Sequence, residues 1–282
     1  QGFEVHLVEK TEKLGGNLPR VKNTVEGFKP PELLKELQGQ IGGNKKITVY
    51  TNSKVKECKG FVGNFKSVID NNGTDIEIEH GVGIIAIGAH ESKQDEYLYG
   101  QNEKVRTQLE LEEQLEVEPD YAKGLNEVVM IQCVGSREPD NRMCSRVCCT
   151  EAIKNAIAIK QANPKANVAI LYRDVRTYGF KEKYYNKSRE LGVLFFRYDL
   201  DCKPIVSEDS AGNLEVRMRD LNSGLDLSFS PDALVLTTAM APCRFCIRGP
   251  VPMRFLSQPQ VHRRECRPGT SGCGKGDADS FG

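Results

Sequence analysis

Four cysteines stand close together near the middle of the chain, in CVGSREPDNRMCSRVCC, where Cys133, Cys144, Cys148 and Cys149 are spaced Cys-x10-Cys-x3-Cys-Cys. Thiolate sulfur is the soft ligand that iron–sulfur clusters and zinc prefer, and four thiolates complete an all-sulfur set. The adjacent pair Cys148–Cys149 suits a cuboidal [4Fe–4S] cluster, whose corners diverge, better than a zinc ribbon, whose paired ligands sit about two to four residues apart. A structural zinc on the same four thiolates, or four incidental buried cysteines, are the alternatives at this level. Electrostatics favour the cluster. Four thiolates outweigh the positive charge of an oxidised cubane, and Arg137, Arg142 and Arg146 share the loop. A helix starting just after it contributes roughly half a positive charge. Hydrogen bonds and positive charge near the sulfurs also raise the reduction potential.

A second set of residues points to a dinucleotide. The apolar run Phe3, Val5, Leu7, Val8 ends in Glu9 and Lys10, and the glycine pair Gly15–Gly16 follows. In dinucleotide folds an acidic residue at a strand end accepts hydrogen bonds from the adenosine ribose. Paired glycines let the backbone approach a cofactor closely. GIIAIGA (83–89), a nearly continuous apolar run closing on Gly88, reads as a strand buried in a parallel sheet and as the other fixed piece of such a domain. Glu9, Lys10, Gly15, Gly16 and Gly88 are therefore candidate flavin-binding residues. On its own the Glu9–Gly16 segment reads equally well as a strand-end charge and a loop glycine. The phosphate-binding glycine loop is expected about 20 residues before the acidic residue, upstream of Gln1, so this flavin domain is expected to be incomplete.

The elements that must hold these residues follow from periodicity. PELLKELQGQI suits a helix opened by Pro30–Pro31, with Leu33, Leu34 and Leu37 on one face. ITVYTN (47–52) is a strand, and 63–81 alternate like a meander. The acidic stretch 108–120 reads as a solvated helix or linker ended by Pro119, and marks an expected domain boundary. Beyond it, EVVMIQCVGSR is a strand entering a loop, and a helix over 150–163 follows with Thr150 as its N-cap. NVAILYRD is a strand, 181–192 a helix, and VLFFRYD a strand. A hairpin turns around Asn222–Gly224, and DALVLTTAM is a last buried strand. Strand–helix–strand–helix–strand implies right-handed crossovers and a parallel sheet. Cys133 then sits at a strand's carboxyl end and the other three cysteines at a helix start, which face the same crevice in such a sheet. Cys133–Val134–Gly135–Ser136 occupies the place of a nicotinamide phosphate turn. A cluster there leaves no room for a pyrophosphate, so NAD is not expected.

The expected division is therefore 1–119 as a partial FAD domain, 120–242 as a second dinucleotide-binding-like domain with the cysteines, and 243–282 as an irregular tail. Cys58 and Cys202 are expected to be core or surface thiols, and Cys243, Cys246, Cys266 and Cys273 have no surrounding pattern to support a second metal site. In RTYGFKEKYY (176–185) helix packing accounts for the aromatic–basic character, with a loop lining the cluster or flavin as the alternative. Lys plus Arg and Asp plus Glu are 39 each, so no overall field favours nucleic acid or an acidic membrane. No apolar run approaches the ~18 residues of a membrane span, and no signal peptide is visible, which fits a cytoplasmic protein. Ten cysteines in a chain of this size are more often metal-binding or redox-active than disulfide-forming in a reducing compartment.

VVMIQCVGSR (128–137), CSRVCCTEAIKNA (144–156), LYRDVRTYGFKEKYY (171–185) and GVLFFRYD (192–199) resemble the A-type subunit of heterodisulfide reductase and its relatives. The resemblance runs from about residue 2 to residue 242. It implies an α/β fold of two thioredoxin-reductase-like dinucleotide domains with meander and hairpin insertions, one FAD, and several [4Fe–4S] clusters. It implies that Cys133, Cys144, Cys148 and Cys149 ligate a cluster near the flavin, and that Glu9, Gly16 and Gly88 belong to the FAD site. In complexes with partner subunits, the family's flavin splits an electron pair between two acceptors. The partners implied are the other subunits of such a complex and a hydrogenase or ferredoxin-linked donor. The chain departs from the family in three places. The phosphate-loop start is missing, LGGNLPRVKNTVEG lacks a cysteine motif, and 243–282 replace the family's continuation, as a truncated gene or a shifted reading frame would produce. The function expected is electron transfer between FAD and a [4Fe–4S] cluster in an oxidoreductase complex. A zinc-stabilised interaction module and a pyridine-nucleotide disulfide oxidoreductase are the alternatives, although Cys148–Cys149 makes a poor redox pair and the latter needs nicotinamide.

Overall fold

Apolar runs and turn residues set out a parallel sheet in the second half of the chain, and a computed structural model describes residues 2–93 and 95–243. The expected tail, with Cys246, Cys266 and Cys273, lies outside the described residues. Contacts group the chain into two compact units, each assembled from separated stretches. One takes the chain up to Leu14 and Ile41–Gly88, together with Cys243; the other takes Gly15–Gln40 and Ala89–Pro242.

In the first unit β1 (Val5–Val8) pairs in parallel with β2 (Ile47–Tyr50). The chain then forms an antiparallel meander of β3 (Ser53–Phe61), β4 (Asn64–Asn71) and β5 (Thr74–His80). Asn72 and Gly73 join β4 to β5 with positive φ at both positions, the turn whose twist matches a hairpin. Cys58, Phe65 and Ile69 form its buried centre. The strand expected over 83–89 does not form. Residues 83–88 belong to no named strand, and Ile84 is 74% exposed. The β1–β2 ribbon has no third strand among the described residues, so this apolar run finds no ladder to bury it.

The second unit holds all but the last two residues of α1 (Pro30–Gly42), whose Leu33 and Leu37 are exposed. The short β6 (Ala89–Glu91) and β7 (Val105–Thr107) lead to α2 (Gln108–Val117), α3 (Tyr121–Gly124) and β8 (Glu127–Val134). Two crossovers follow, through α4 (Cys148–Ala162) to β9 (Asn167–Tyr172) and through α5 (Glu182–Glu190) to β10 (Leu194–Arg197). An antiparallel trio, β11 (Ile205–Glu208), β12 (Leu214–Arg219) and β13 (Asp226–Phe229), precedes β14 (Ala233–Thr238). The last strand, β15 (Met240–Pro242), pairs with β6. The five-stranded parallel sheet has the order β10-β9-β8-β14-β7.

This sheet is covered on both faces, which is why its strands read as continuous apolar runs. Val128, Met130, Val168, Ile170 and Val235 pack with Ile153, Ala156 and Ile159 of α4. The alternate residues Val129, Ile131, Leu171, Leu234 and Leu236 pack with Leu214, Val216 and Met218 of β12. Strand order reverses between β8 and β14. The crevice outside their carboxyl ends is where open α/β sheets bind ligands.

Two local expectations are corrected. The acidic stretch expected to be solvated is α2, with Leu109 and Leu111 buried. Its buried Gln108 donates to Thr237 Oγ1 at 3.1 Å and accepts from Asn155 at 2.8 Å, so polar residues that suggest exposure are satisfied inside. Helix α4 begins at Cys148, so Thr150 stands within its first turn rather than capping it. No side chain bonds at its N-cap, Val147. By contrast α2 carries a capping box. Thr107 Oγ1 accepts from the Glu110 amide at 3.3 Å, and Glu110 Oε2 accepts from the Thr107 amide at 2.7 Å. Thr107→Ala is expected to cost about 1 kcal/mol, read as a lower urea midpoint with an unchanged slope. An unchanged midpoint would show that the box adds nothing to stability.

Candidate functional site

Cys133 lies near the carboxyl end of β8, Cys148 and Cys149 open α4, and Cys144 lies in the loop between them. In β8 Ile131 faces Leu236 but Val134 faces Thr238, so the pair Gln132–Cys133 opposes Thr237 alone. This extra residue is a bulge, and Cys133 takes φ +62°. Bulges of this kind re-aim a side chain at a sheet edge. Arg137 (φ +58°) and Arg146 (φ +65°) share the left-handed conformation that non-glycine residues seldom adopt. Strained positions gathered in one loop are held by surrounding bonds, and they cluster at functional sites.

Those bonds are identifiable. Arg173, at the end of β9 and 7% exposed, donates from Nη1 to the carbonyl of Arg137 at 2.9 Å. Its Nη2 serves the carbonyls of Cys133, at 3.3 Å, and Ser136. Within the loop, Ser136 Oγ donates to the Met143 carbonyl at 2.8 Å, and Asn141 donates to the Gly135 carbonyl at 2.9 Å. The Met240 amide donates to Ser145 Oγ at 2.8 Å and ties the loop to β15. Sequence reasoning did not single out Arg173, because an isolated arginine ordinarily signals surface.

Cys133 and Cys148 are buried, Cys144 and Cys149 are half-buried, and all the described cysteines are free thiols. Burial, joined by the charges of Cys149, Cys133 and Cys144, pushes the Cys148 thiol up to about 12, although a Ser145 hydrogen bond opposes this. Burial, with Cys133 and Cys144, pushes Cys149 up to about 11 against the opposing Arg176 amide. Each of these two thiols thus lies within electrostatic reach of the other cysteines, and such thiols stay protonated until a metal takes the proton's place. The Cys149 thiol approaches the Asp174 carbonyl at 3.7 Å and lines a void of about 10 Å³, room for roughly one water. Among the described residues no three His, Cys, Asp or Glu side chains gather tightly enough to hold one metal ion. A single zinc needs four donors on one atom. A cubane offers each thiolate a different corner, so its sulfurs stand farther apart.

Positive charge is held beside the sulfurs. Burial works against the Arg137 charge, but Asp174 and Cys133 outweigh it and raise the guanidinium's pKa. Arg137 pairs with Asp174 at 2.5 Å, and its buried Nη1 has no partner. An all-thiolate donor set beside a half-buried guanidinium with a buried, unpaired Nη1 fits an anionic sulfur-ligated cofactor. Arg142 and Arg146, the other loop arginines, are exposed.

The candidate flavin residues divide between the units. Glu9 ends the β1 segment, and its amide donates to the Tyr50 carbonyl at 2.8 Å. Its Oε1 accepts from both the amide and the hydroxyl of Thr11 at 2.8 Å, while Lys10 is exposed. Gly88 (φ +68°) accepts from the Cys243 amide at 3.0 Å. Gly15 (φ +132°) and Gly16 (φ +54°) belong to the second unit. Its φ is what favours glycine at Gly15, and a Cβ there would also press to 2.6 Å on the end of the Leu34 side chain.

The segment after these glycines is fastened to the helix that carries Cys148 and Cys149. Glu112 Oε1 accepts from the Lys22 and Asn23 amides at 2.7 and 3.1 Å, and Lys154 of α4 donates to the Asn23 carbonyl at 3.0 Å. Lys154 Nζ lies 2.6 Å from Glu112 Oε2, a contact made by charge rather than by an aligned hydrogen bond. Arg20 pairs with Glu113 at 2.7 Å and Glu91 at 3.4 Å. Neither clamp was legible beforehand, since its members lie some ninety residues apart in sequence.

No family model matches the chain. It is 28% identical, over 339 aligned residues, to the first iron–sulfur A-type subunit of CoB–CoM heterodisulfide reductase of Methanopyrus kandleri, covering 84% of this chain and 50% of that protein. It is 35% identical over 189 residues to the A-type subunit of the H2/formate:CoB–CoM heterodisulfide,ferredoxin reductase of Methanococcus maripaludis, covering 61% of this chain and 28% of that protein. The chain thus spans about half the length of the first of these curated relatives and less of the second. In structure it is similar to the thioredoxin reductase of Lactococcus lactis, with a TM-score of 0.52, 15% identity and coverage of 86% of this chain and 78% of that one. That likeness shows the fold.

Proposed function

We propose that the chain, similar to heterodisulfide reductase A-type subunits, belongs to that family and is an oxidoreductase portion that moves electrons between FAD and a [4Fe–4S] cluster. The observation that carries this reading is the bulged, arginine-pinned loop that brings Cys133 to the start of α4, with Cys144, Cys148 and Cys149 within electrostatic reach. These four cysteines hold the cluster, which supplies one-electron storage. The chain's own residues set the conditions. Arg137 stabilises negative charge at Cys133, and Arg173 keeps the loop from collapsing. The start of α4 adds its positive end. Glu9, Lys10, Gly15, Gly16 and Gly88 serve FAD, with Glu9 accepting from ribose hydroxyls and the glycines allowing close backbone approach. No general acid or nucleophile is required.

Residues 120–242 act as a dinucleotide-type domain that has exchanged its nucleotide for a cluster. The working partners in this reading are the other subunits of a heterodisulfide-reductase-type complex and a hydrogenase- or ferredoxin-linked donor; one similar protein is named for H2 and another for ferredoxin on the donor side. Among the described residues no helix is long and apolar enough to cross a membrane.

Anaerobic purification followed by iron and acid-labile sulfide assays tests the reading. The expected result is about four irons per chain, brown colour, and a low-temperature EPR signal on reduction. A colourless protein containing zinc would replace it with the zinc-stabilised module.

A further inference from the structure

The aromatic–basic run after β9 is only partly used in packing. Tyr184 and Tyr185 pack against the core, but Tyr178 is 67% exposed and Phe180 is 95% exposed. Gly179, at φ +68°, turns the chain sharply between them. Beneath lies an open groove of about 370 Å³ whose walls include Arg146, Arg176 and Lys181 against the single acid Glu26. One wall is Thr150, the residue after Cys149, and the Arg176 amide bonds the Cys149 sulfur. An exposed cationic and aromatic surface therefore begins one residue from a proposed cluster ligand.

Resting on the electron-transfer reading, we propose that this surface docks a small acidic electron-carrier protein. Aromatic and arginine side chains grouped together are the usual energetic centre of a protein contact. Encounters between redox proteins are small and transient, and opposite charge steers them. Two exposed aromatics standing proud of the surface suit a protein face better than an enclosed small ligand. In the docked pair one electron leaves the reduced carrier and enters the cluster. No bond forms, and no proton moves.

Titration with an acidic [2Fe–2S] ferredoxin as the probe tests this, with binding measured calorimetrically at low and high salt. Binding is expected to weaken as salt rises. In the double variant Lys181→Glu, Phe180→Ala it should fall roughly tenfold. Both side chains are exposed, so the fold should be unaffected. The second-order rate at which reduced ferredoxin reduces the cluster should fall by the same factor, while reduction by dithionite is unchanged. Lys187→Glu, an exposed charge elsewhere on α5, should bind like the parent. Undiminished ferredoxin binding in the double variant, or an equal loss in the Lys187 variant, overturns the docking surface alone. A parent protein without iron and sulfide overturns the reading beneath it.

Discussion

Replacing Cys144 by alanine is expected to abolish the EPR signal of the reduced cubane and to leave the protein with three irons or fewer in place of about four. Cys144 is half-buried in an irregular loop, so the helix and sheet around it should persist and far-ultraviolet dichroism should be unchanged. Cys148→Ala should have the same effect on iron, because in the proposed centre each thiolate would hold its own iron and neither would substitute for the other. Cys58 and Cys202 provide the control. Cys58 is buried in β3 and Cys202 is exposed. Cys58→Ala should lower stability and Cys202→Ala should change little, yet both should retain iron. Full iron and sulfide in Cys144→Ala would remove it from the ligand set and with it the proposed centre.

The second large effect belongs to a residue outside the proposed ligand set. Arg173→Met should lower folding stability by about 3 kcal/mol or more, because three loop carbonyls lose a charged donor at once. The buried methionine would fill much of the space but satisfy none of them. Arg173→Lys should recover only part of the loss, since an ammonium lacks the planar fork that reaches separate acceptors. Urea unfolding measures the cost. Iron uptake by the folded variant should also be weaker, because Cys133 would lose the bond that holds its strained backbone. A variant as stable as the parent would show that the loop holds its shape without the guanidinium.

What was legible in the sequence follows from how each signal is written. The strands β8, β9 and β14 were readable because both of their faces are buried, which leaves unbroken apolar runs at Val128–Ile131, Val168–Leu171 and Ala233–Leu236. The cysteine loop stood out as a candidate because its residue type and spacing are local. Helix α2 was misread because its buried polar residues find distant partners, Thr237 and Asn155 for Gln108 and Lys154 for Glu112. The run 83–89 was misread for the opposite reason. Its composition suits a central strand, but a strand exists only where a neighbour supplies the ladder, and composition carries no record of the neighbour. Arg173 was invisible because its role is defined by backbone carbonyls, which any sequence possesses.

The clamp of Glu112 and Lys154 on the Lys22–Asn23 backbone has a practical bearing on dissection. A gene segment beginning at Ala89 is the natural choice for expressing the larger unit alone, yet it discards the peptide amides that Glu112 holds and the carboxylates' partner Arg20. Such a polypeptide would keep the Lys154–Glu112 pair but leave Glu113 and Glu91 without Arg20 and Glu112 without two backbone donors. A soluble excised unit therefore requires residues 15–40 to be spliced onto its amino end, an order that no contiguous restriction of the coding sequence provides.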